Sequence, residues 1–343
     1  MFNSSKLEDC LLNVIHNLKY EAEFHPQGLP VQLLKNIPKK IWQMFIILYY
    51  SGLLVVEDEK LLPDAFVRIT LYWLLISPTS EETSNIVHKF IERIKKIINE
   101  TDKNSFDFDF EQELISLIHE ASRKNNASFA RLLSQSTFRE LTVSDSDYFE
   151  TTDIVSKKYQ LETNQRYLIG MLFWWNKNLL LWLQRDYIHK LNSDIGLKVL
   201  SDITLYDFDH IIPQNLWSGT SNVARGFKDT YFSNEGHWEI GNSIGNFQLL
   251  KFSDNRAKKS ATYEDWMKSL DDSKKDVLFD SLLVNSDEYF IHTVKKNKQW
   301  TDEQRINFVK AVELRVFDLY TEFLSIYDED SIYFEREENA ITK

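Results

Sequence analysis

The sequence contains a single cysteine, Cys10, among its 343 residues. One cysteine excludes an intramolecular disulfide framework and a zinc site built from several thiolates. The first ten residues, MFNSSKLEDC, also lack the basic-then-apolar order of a secretory signal peptide. We therefore expect a protein that works in a reducing compartment, the cytoplasm.

Long apolar runs are scarce as well. Residues 41–56 form a short run, and residues 167–183 carry Asn176 and Lys177 in the middle of the run. A membrane-spanning helix needs about 20 predominantly apolar residues. The two runs therefore predict buried helices, with no membrane association.

Basic residues are fewer than acidic residues, and the formal net charge is −12. Nucleic acids attract basic surfaces, so this balance opposes binding of DNA or RNA through the overall field of the protein. Contact with nucleic acid would need a local basic patch, a bound divalent cation or a basic partner.

Most of the chain has helical periodicity, and 43% hydrophobic residues are ample for a packed core. Residues 86–98 place apolar side chains on one helical face, after a capping-box pattern at Thr79 and Glu82. A second capping box, at Thr301 and Gln304, precedes a C-terminal apolar stripe. Residues 164–192 predict one long helix.

The glycine-rich region is different, because six of the nine glycines lie between residues 196 and 245. Helical periodicity disappears there, and residues 203–212 and 246–250 have strand-like composition. A long loop, roughly residues 214–243, joins them, and Ser253 is a candidate N-cap for a following helix. The pattern predicts a β–loop–β–helix unit within an α-helical chain.

Four residues of this unit suit the hydrolysis of phosphodiesters with a metal ion. Asp209 and Asn255 offer the oxygen ligands that a hard cation such as Mg²⁺ prefers. His210 has the pKa range to take a proton from water near neutral pH, and Asn246 could hold the imidazole by a hydrogen bond.

The stretches DFDHIIPQ and IGNFQLLKFSDNRAKKS resemble the HNH (ββα-metal finger) nucleases. In that family an Asp-His pair ends the first strand, an Asn lies on the second strand, and a final His or Asn opens the helix. The HNH domain of RNA-guided CRISPR effector nucleases is similar in its D-H-I-x-P-Q opening, in the spacing of its asparagines and in its N-R-x-K ending.

The pattern is closer still to the C-terminal nuclease domains of GmrSD-type, modification-dependent restriction enzymes. They share the I-G-N-x-x-x-L stretch, an upstream Q-R-x-Y motif matched by Gln184, Arg185 and Tyr187, and a tryptophan-led C-terminal helix like the one after Trp300. Those enzymes usually carry a nucleotide-hydrolysing, ParB-like domain with a D-G-Q-Q-R motif, whereas no Asp-Gly pair occurs here. The resemblance implies a nuclease half that works with a separate nucleotide-hydrolysing ParB-like sensor protein.

We therefore predict a mainly α fold in which helical domains carry an embedded ββα-metal (HNH) finger. The predicted domains are an α-helical domain over residues 1–160, an HNH nuclease domain with a leading long helix over 161–285, and a C-terminal helical segment over 286–343 that packs on the nuclease domain.

The predicted function is cleavage of DNA with Mg²⁺ or Mn²⁺, in a restriction or anti-phage system. His210 and Asn246 are the catalytic candidates, and Asp209 and Asn255 are the metal ligands. Four cations in residues 251–260, against the single acid Asp254, give a local balance of +3 and are candidate phosphate contacts: Lys251, Arg256, Lys258 and Lys259. Two alternatives stay open: a catalytically idle nucleic-acid-binding or scaffold subunit, and an RNA-cleaving, toxin-like nuclease.

Overall fold

The computed structural model describes residues 4–53, 62–100, 109–124, 131–142, 172–194, 206–217, 240–276 and 301–334. This part of the chain is mainly helical and contains one two-stranded antiparallel sheet, which confirms the mainly α prediction. The chain divides into two compact units, Met1–Leu132 with Ile326–Lys343 and Leu133–Ser325. The predicted domain boundaries at residues 160 and 285 lie outside the described residues and stay predictions.

The first unit is a helical assembly. Its helices are α1 (Ser4–Leu18), α2 (Val31–Leu34), α3 (Lys39–Ser51), α4 (Leu62–Ile76), α5 (Ser80–Glu100) and α6 (Phe110–Lys124). The predicted capping box precedes α5, because Glu82 N donates to Thr79 Oγ1 at 3.2 Å and Thr79 N donates to Glu82 Oε2 at 2.9 Å. The apolar face of α5 is buried as its periodicity predicts, through Ile86, Val87, Phe90 and Ile94.

The apolar run at residues 41–56 belongs to this unit. Helix α3 buries Ile41, Met44, Phe45 and Leu48, and it ends at Gly52 with a positive φ of 72°. Across the described residues, no helix combines the length and the apolar character that a membrane span requires.

The second unit contains the predicted nuclease region. Its elements are α7 (Gln135–Thr142), α8 (Lys177–Leu183), α9 (Arg185–Asp194), β1 (Tyr206–His210), α10 (Gln214–Trp217), β2 (Phe247–Lys251), α11 (Phe252–Lys258), α12 (Tyr263–Ser269) and α13 (Asp302–Leu324). Two 3₁₀ turns, Ile240–Asn242 and Ile244–Asn246, lead into β2. Thr301 and Gln304 form the predicted capping box of α13, and the buried stripe on this helix includes Phe308, Val312, Val316, Leu319, Tyr320 and Phe323. Trp300 lies outside the described residues.

The prediction of one long helix over residues 164–192 is wrong. Residues 164–171 lie outside the described part. The rest contains helical residues 172–174, then α8 and α9, with breaks at Trp175–Asn176 and at Gln184, whose φ of −109° and ψ of 27° leave the helical region. The side chain of Gln184 is hydrogen-bonded to β2, since its Oε1 accepts from Leu249 N at 2.9 Å. The break lets a buried glutamine reach the sheet.

The two strands of the sheet and the helix that follows β2 pack into one strand–strand–helix unit. Strands β1 and β2 pair antiparallel, with Asp209 opposite Gln248 and His210 opposite Phe247. Helix α11 follows β2 directly, so Ser253 lies in its first turn, and the predicted N-cap at Ser253 is wrong by two positions because Lys251 stands there.

Candidate active site

Successive side chains of a strand point to opposite faces of the sheet, and this separates the predicted site residues. Asp207 and Asp209 lie on the face that α11 covers, where Asn255 Nδ2 donates to Asp207 Oδ2 at 3.0 Å. Gln248, on the paired strand, donates from Nε2 to Asp209 Oδ2 at 2.8 Å. The two predicted metal ligands therefore share this face, and Asn255 bonds to Asp207 rather than to Asp209.

Lys258 is buried against the same carboxylate. Its ammonium donates to Asp209 Oδ2 and to the backbone oxygen of His210. The side chain of Lys258 is 1% exposed and that of Asp209 is 11% exposed. Burial lowers the pKa of Lys258, and the charge and hydrogen bond of Asp209 oppose that shift. This pairing leaves the Lys258 ammonium inaccessible to a phosphate, in contrast to the role predicted from the sequence.

The oxygen donors on this face suit a hard divalent cation by their chemistry. Within the described residues, Oδ1 of Asp209 and Oδ1 of Asn255 make no hydrogen bond. The described residues contain no cluster of three or more His, Cys, Asp or Glu side chains that could hold a metal. A carboxylate and an amide are the donors that the sequence predicted, and the Asp209 charge is already balanced by Lys258.

His210 lies on the opposite face, among aromatic rings. Its ring centroid is 4.2 Å from that of Phe247 and 5.5 Å from that of Trp217. Nε2 of His210 is 3.1 Å from Oδ1 of Asn242. Because an amide oxygen only accepts, Nε2 carries the proton, and Nδ1 is the acceptor nitrogen of the neutral ring.

The surroundings of His210 keep the imidazole neutral. Its pKa is lowered from 6.5 to about 4, chiefly by burial, and the charges of Lys177 and Lys258 act in the same direction. The hydrogen bond to Asn242 and the charge of Asp209 act in the opposite direction. The imidazole is therefore neutral at physiological pH, which is the form that can accept a proton from water, but a pKa of about 4 makes it a weaker base than the sequence predicted.

Asn246 does not hold the imidazole, in contrast to the prediction. Its side chain is fully buried: Oδ1 accepts from Ile212 N at 2.9 Å, and Nδ2 donates to Ile212 O at 3.2 Å and to Gly241 O at 2.9 Å. Asn246 therefore fixes the turn that follows His210, whereas Asn242 contacts the ring.

The two glycines of the repeated Ile-Gly-Asn sequence are required by close approach. A Cβ at Gly241 would lie 2.2 Å from the Trp217 ring, and a Cβ at Gly245 would lie 2.4 Å from the backbone oxygen of Val312 on α13. Both distances are far below van der Waals contact. Glycine therefore lets this segment pack directly on Trp217 and on α13.

Arg315 of α13 holds the same segment. Its Nη1 donates to the backbone oxygens of Ile244, Gly245 and Phe247 at 2.9, 3.1 and 2.5 Å, and the side chain is almost fully buried. The C-terminal helix thus fixes the turn that carries Asn246 and opens β2.

The Q-R-x-Y motif occupies the outer edge of β2. Gln184 accepts from Leu249 N, and Tyr187 Oη accepts from Lys251 N at 3.1 Å. These two side chains satisfy backbone donors that an edge strand otherwise leaves to solvent or to another strand. Arg185 is buried, and its Nη2 lies 3.7 Å from Glu322 Oε1 on α13. The motif therefore anchors the sheet between α8–α9 and α13.

The other cations of the basic run remain accessible. Arg256 and Lys259 are exposed, and Lys251 is half-buried. Lys177 adds a cation that sequence reasoning missed: its side chain is exposed, and its ammonium lies 3.7 Å from the centroid of the Phe247 ring, beside His210. Asn242 was missed too, although the repetition of Ile-Gly-Asn could have indicated it.

Comparison with known proteins places this site in a family. The profile described as GmrSD restriction endonucleases, C-terminal domain, matches residues 126–307, which is just over half of the chain and includes every predicted site residue. No match was found among curated proteins or among solved structures. The chain therefore belongs to the family of the C-terminal domain of GmrSD restriction endonucleases.

Proposed function

We propose that the strand–strand–helix unit is an HNH finger and that the protein is a metal-dependent endonuclease that cleaves DNA in a restriction or anti-phage system. The observation that carries the proposal is the neutral imidazole of His210 at the end of β1, which is held by Asn242 and lies close enough to the Asp209 carboxylate for its charge to act on the ring. This arrangement lies within the part of the chain that matches a restriction endonuclease domain.

His210 acts as the general base in this mechanism. Asn242 fixes the tautomer with the proton on Nε2, so Nδ1 takes the proton from the attacking water. Asn246 acts through the turn rather than on the substrate, because it locks the backbone of Ile212 two residues after His210.

Asp209 and Asn255 are the proposed ligands of Mg²⁺ or Mn²⁺. When bound, the divalent cation supplies stabilisation of the negative charge on the phosphate and on the leaving oxygen. Lys251 and Lys259 at the two caps of α11, and Arg256 within the helix, provide accessible positive charge for the neighbouring phosphates.

The test is cleavage of plasmid DNA and of an RNA of matched length, with Mg²⁺, with Mn²⁺ and with EDTA. We expect cation-dependent DNA cleavage that falls by about 10²–10⁴-fold in His210→Ala, the usual contribution of a general base. The matched control is His88→Ala, because His88 is an exposed histidine of α5, and it should cleave like the wild type. Preference for RNA would assign the toxin-like alternative, and binding without cleavage of either substrate would assign the scaffold alternative.

A further inference from the structure

The contacts of Lys258 carry an inference that deepens, and rests on, the proposed metal site. We propose that Lys258 is an internal counter-cation that holds Asp209 in the metal-free protein, and that a divalent cation binds to Asp209 only when the ammonium leaves it. Metal binding and release of Lys258 are then one coupled event.

The first step of the argument is the set of acceptors around the ammonium. Nζ of Lys258 contacts one carboxylate oxygen, on Asp209, and one backbone carbonyl oxygen, on His210. Carboxylate and carbonyl oxygens are also the ligands that hard divalent cations take from proteins. The ammonium therefore occupies the kind of position that the metal requires.

The second step is burial. With 1% of its side chain exposed, Lys258 has lost nearly all contact with water, and its charge is supported by protein oxygens. A buried charge that loses its partner is strongly destabilising. Each partner therefore keeps the other in place, and the Asp209 carboxylate cannot stay buried and unpaired if Lys258 is removed.

The third step is repulsion between like charges. A divalent cation on Asp209 would share the carboxylate with a buried ammonium, and like charges at such short range repel strongly in a weakly polar environment. Gln248 does not oppose the exchange, because its neutral amide adds no positive charge to the carboxylate. Lys258 is the last residue of α11, and its unbranched side chain can swing outward with little change in the helix.

The experiment measures cation binding rather than cleavage. Mn²⁺ affinity is determined by calorimetry and by the electron paramagnetic resonance signal of Mn²⁺, on the full chain and on Lys258→Met, Lys258→Gln and Asp209→Asn variants. Lys268→Met is the matched control, because it removes one charge from an exposed lysine of α12 that has no part in the proposed site. Melting temperatures are recorded in EDTA and in Mn²⁺.

We expect Lys258→Met to bind Mn²⁺ about tenfold more tightly than the wild type or more, since it removes a competing positive charge. It should melt lower in EDTA and gain more from Mn²⁺ than the wild type does. Lys258→Gln keeps a neutral donor beside Asp209, and it tests the same increase in affinity if the methionine variant does not fold. Lys268→Met should bind Mn²⁺ like the wild type, and Asp209→Asn should lose the binding.

Three results would overturn the inference. Mn²⁺ binding that Asp209→Asn abolishes but that neither Lys258 variant strengthens would leave the metal site intact and remove the coupling. Equal gains in Lys258→Met and Lys268→Met would assign the effect to overall charge. Absence of Mn²⁺ binding in every variant would overturn the metal site of the proposed function, and the inference with it.

Discussion

Asn242 and Asn246 both end an Ile-Gly-Asn sequence, yet their side chains make different contacts. Asn246 is fully buried and bonds to backbone on both sides of the turn, whereas Asn242 is half-buried and contacts the ring of His210. Substitution of Asn246 should therefore change mainly the stability of the fold, and substitution of Asn242 mainly the pKa of His210.

Asn246→Ala should lower the free energy of unfolding by about 3 kcal/mol, because the buried Ile212 N and Gly241 O lose their side-chain partner, whereas Ile212 O keeps the donor Trp217 Nε1. Asn242→Ala should change stability much less and should lower the pKa of His210, since it removes a hydrogen bond that raises this pKa. Urea unfolding and titration of the His210 resonance by NMR check the pair. Equal loss of stability in both variants would contradict the division of roles.

His210 also predicts an acid-sensitive stability. Its pKa is about 4 in the folded protein and 6.5 in its unperturbed state, so the unfolded chain binds more protons between these values. The native protein should therefore lose about 3 kcal/mol through this group as the pH falls from 6.5 to 4.

The measurement is urea unfolding at a series of pH values in EDTA, for the wild type and for His210→Gln. As the pH falls through this window, the wild type should lose more unfolding free energy than His210→Gln does. Parallel curves would mean that His210 titrates alike in the folded and unfolded chains.

The sequence predicted which residues lie in the site region more reliably than it predicted their hydrogen-bond partners. Spacing identified Asn246 and Asn255, but their observed bonds are to the backbone of Ile212 and Gly241 and to Asp207. Those partners depend on which face of β1 each side chain occupies and on how closely the turn folds back. Likewise, a basic run indicates charge, but only the fold decides that Lys258 points inward.

At the scale of elements, α13 is the support on which the sheet depends. Arg315→Met should lower the unfolding free energy by about 3 kcal/mol, because the buried carbonyls of Gly245 and Phe247 lose the donor that Arg315 supplies, while Ile244 O keeps only the N–H of Phe247. Arg315→Lys keeps the charge but has a single ammonium in place of the planar fork, so an intermediate loss is expected.

The same two variants report on the site. If α13 positions the turn, cleavage by Arg315→Met should fall even at temperatures where circular dichroism shows a folded protein, and Arg315→Lys should recover part of it. Full activity in a destabilised Arg315→Met protein would limit Arg315 to a role in stability.

Capping boxes and apolar stripes predicted α5 and α13 well, because both signals are local along the chain. The break between α8 and α9 was not predicted, because its cause is a hydrogen bond from Leu249 to Gln184, 65 residues away in the sequence. A hydrogen bond between segments far apart in the sequence can interrupt a helix that local periodicity predicts. Such a bond cannot be seen in the sequence of the helical segment alone.

For the whole molecule, the net charge of −12 predicts weak binding to DNA by the isolated chain. The proposed function then needs a recruiting partner, and the one that the family resemblance implies is a nucleotide-hydrolysing ParB-like sensor protein. The burial of Lys258 strengthens this expectation, since one of the four cations in the basic run is not accessible. A fluorescence titration of DNA at several salt concentrations, with and without co-purifying proteins, measures the effect. Tight binding and rapid cleavage by the chain alone at physiological salt would show that it needs no partner.

The three carbonyls that Arg315 holds precede it in the chain, and Phe247 lies 68 residues upstream. During synthesis the two strands and α11 leave the ribosome well before α13 does. Contacts so distant in sequence form late in folding, after the entropy of closing a long loop has been lost. The nascent strand–strand–helix unit therefore emerges before Arg315 does, and the turn that opens β2 gains its final support only after α13 has been made.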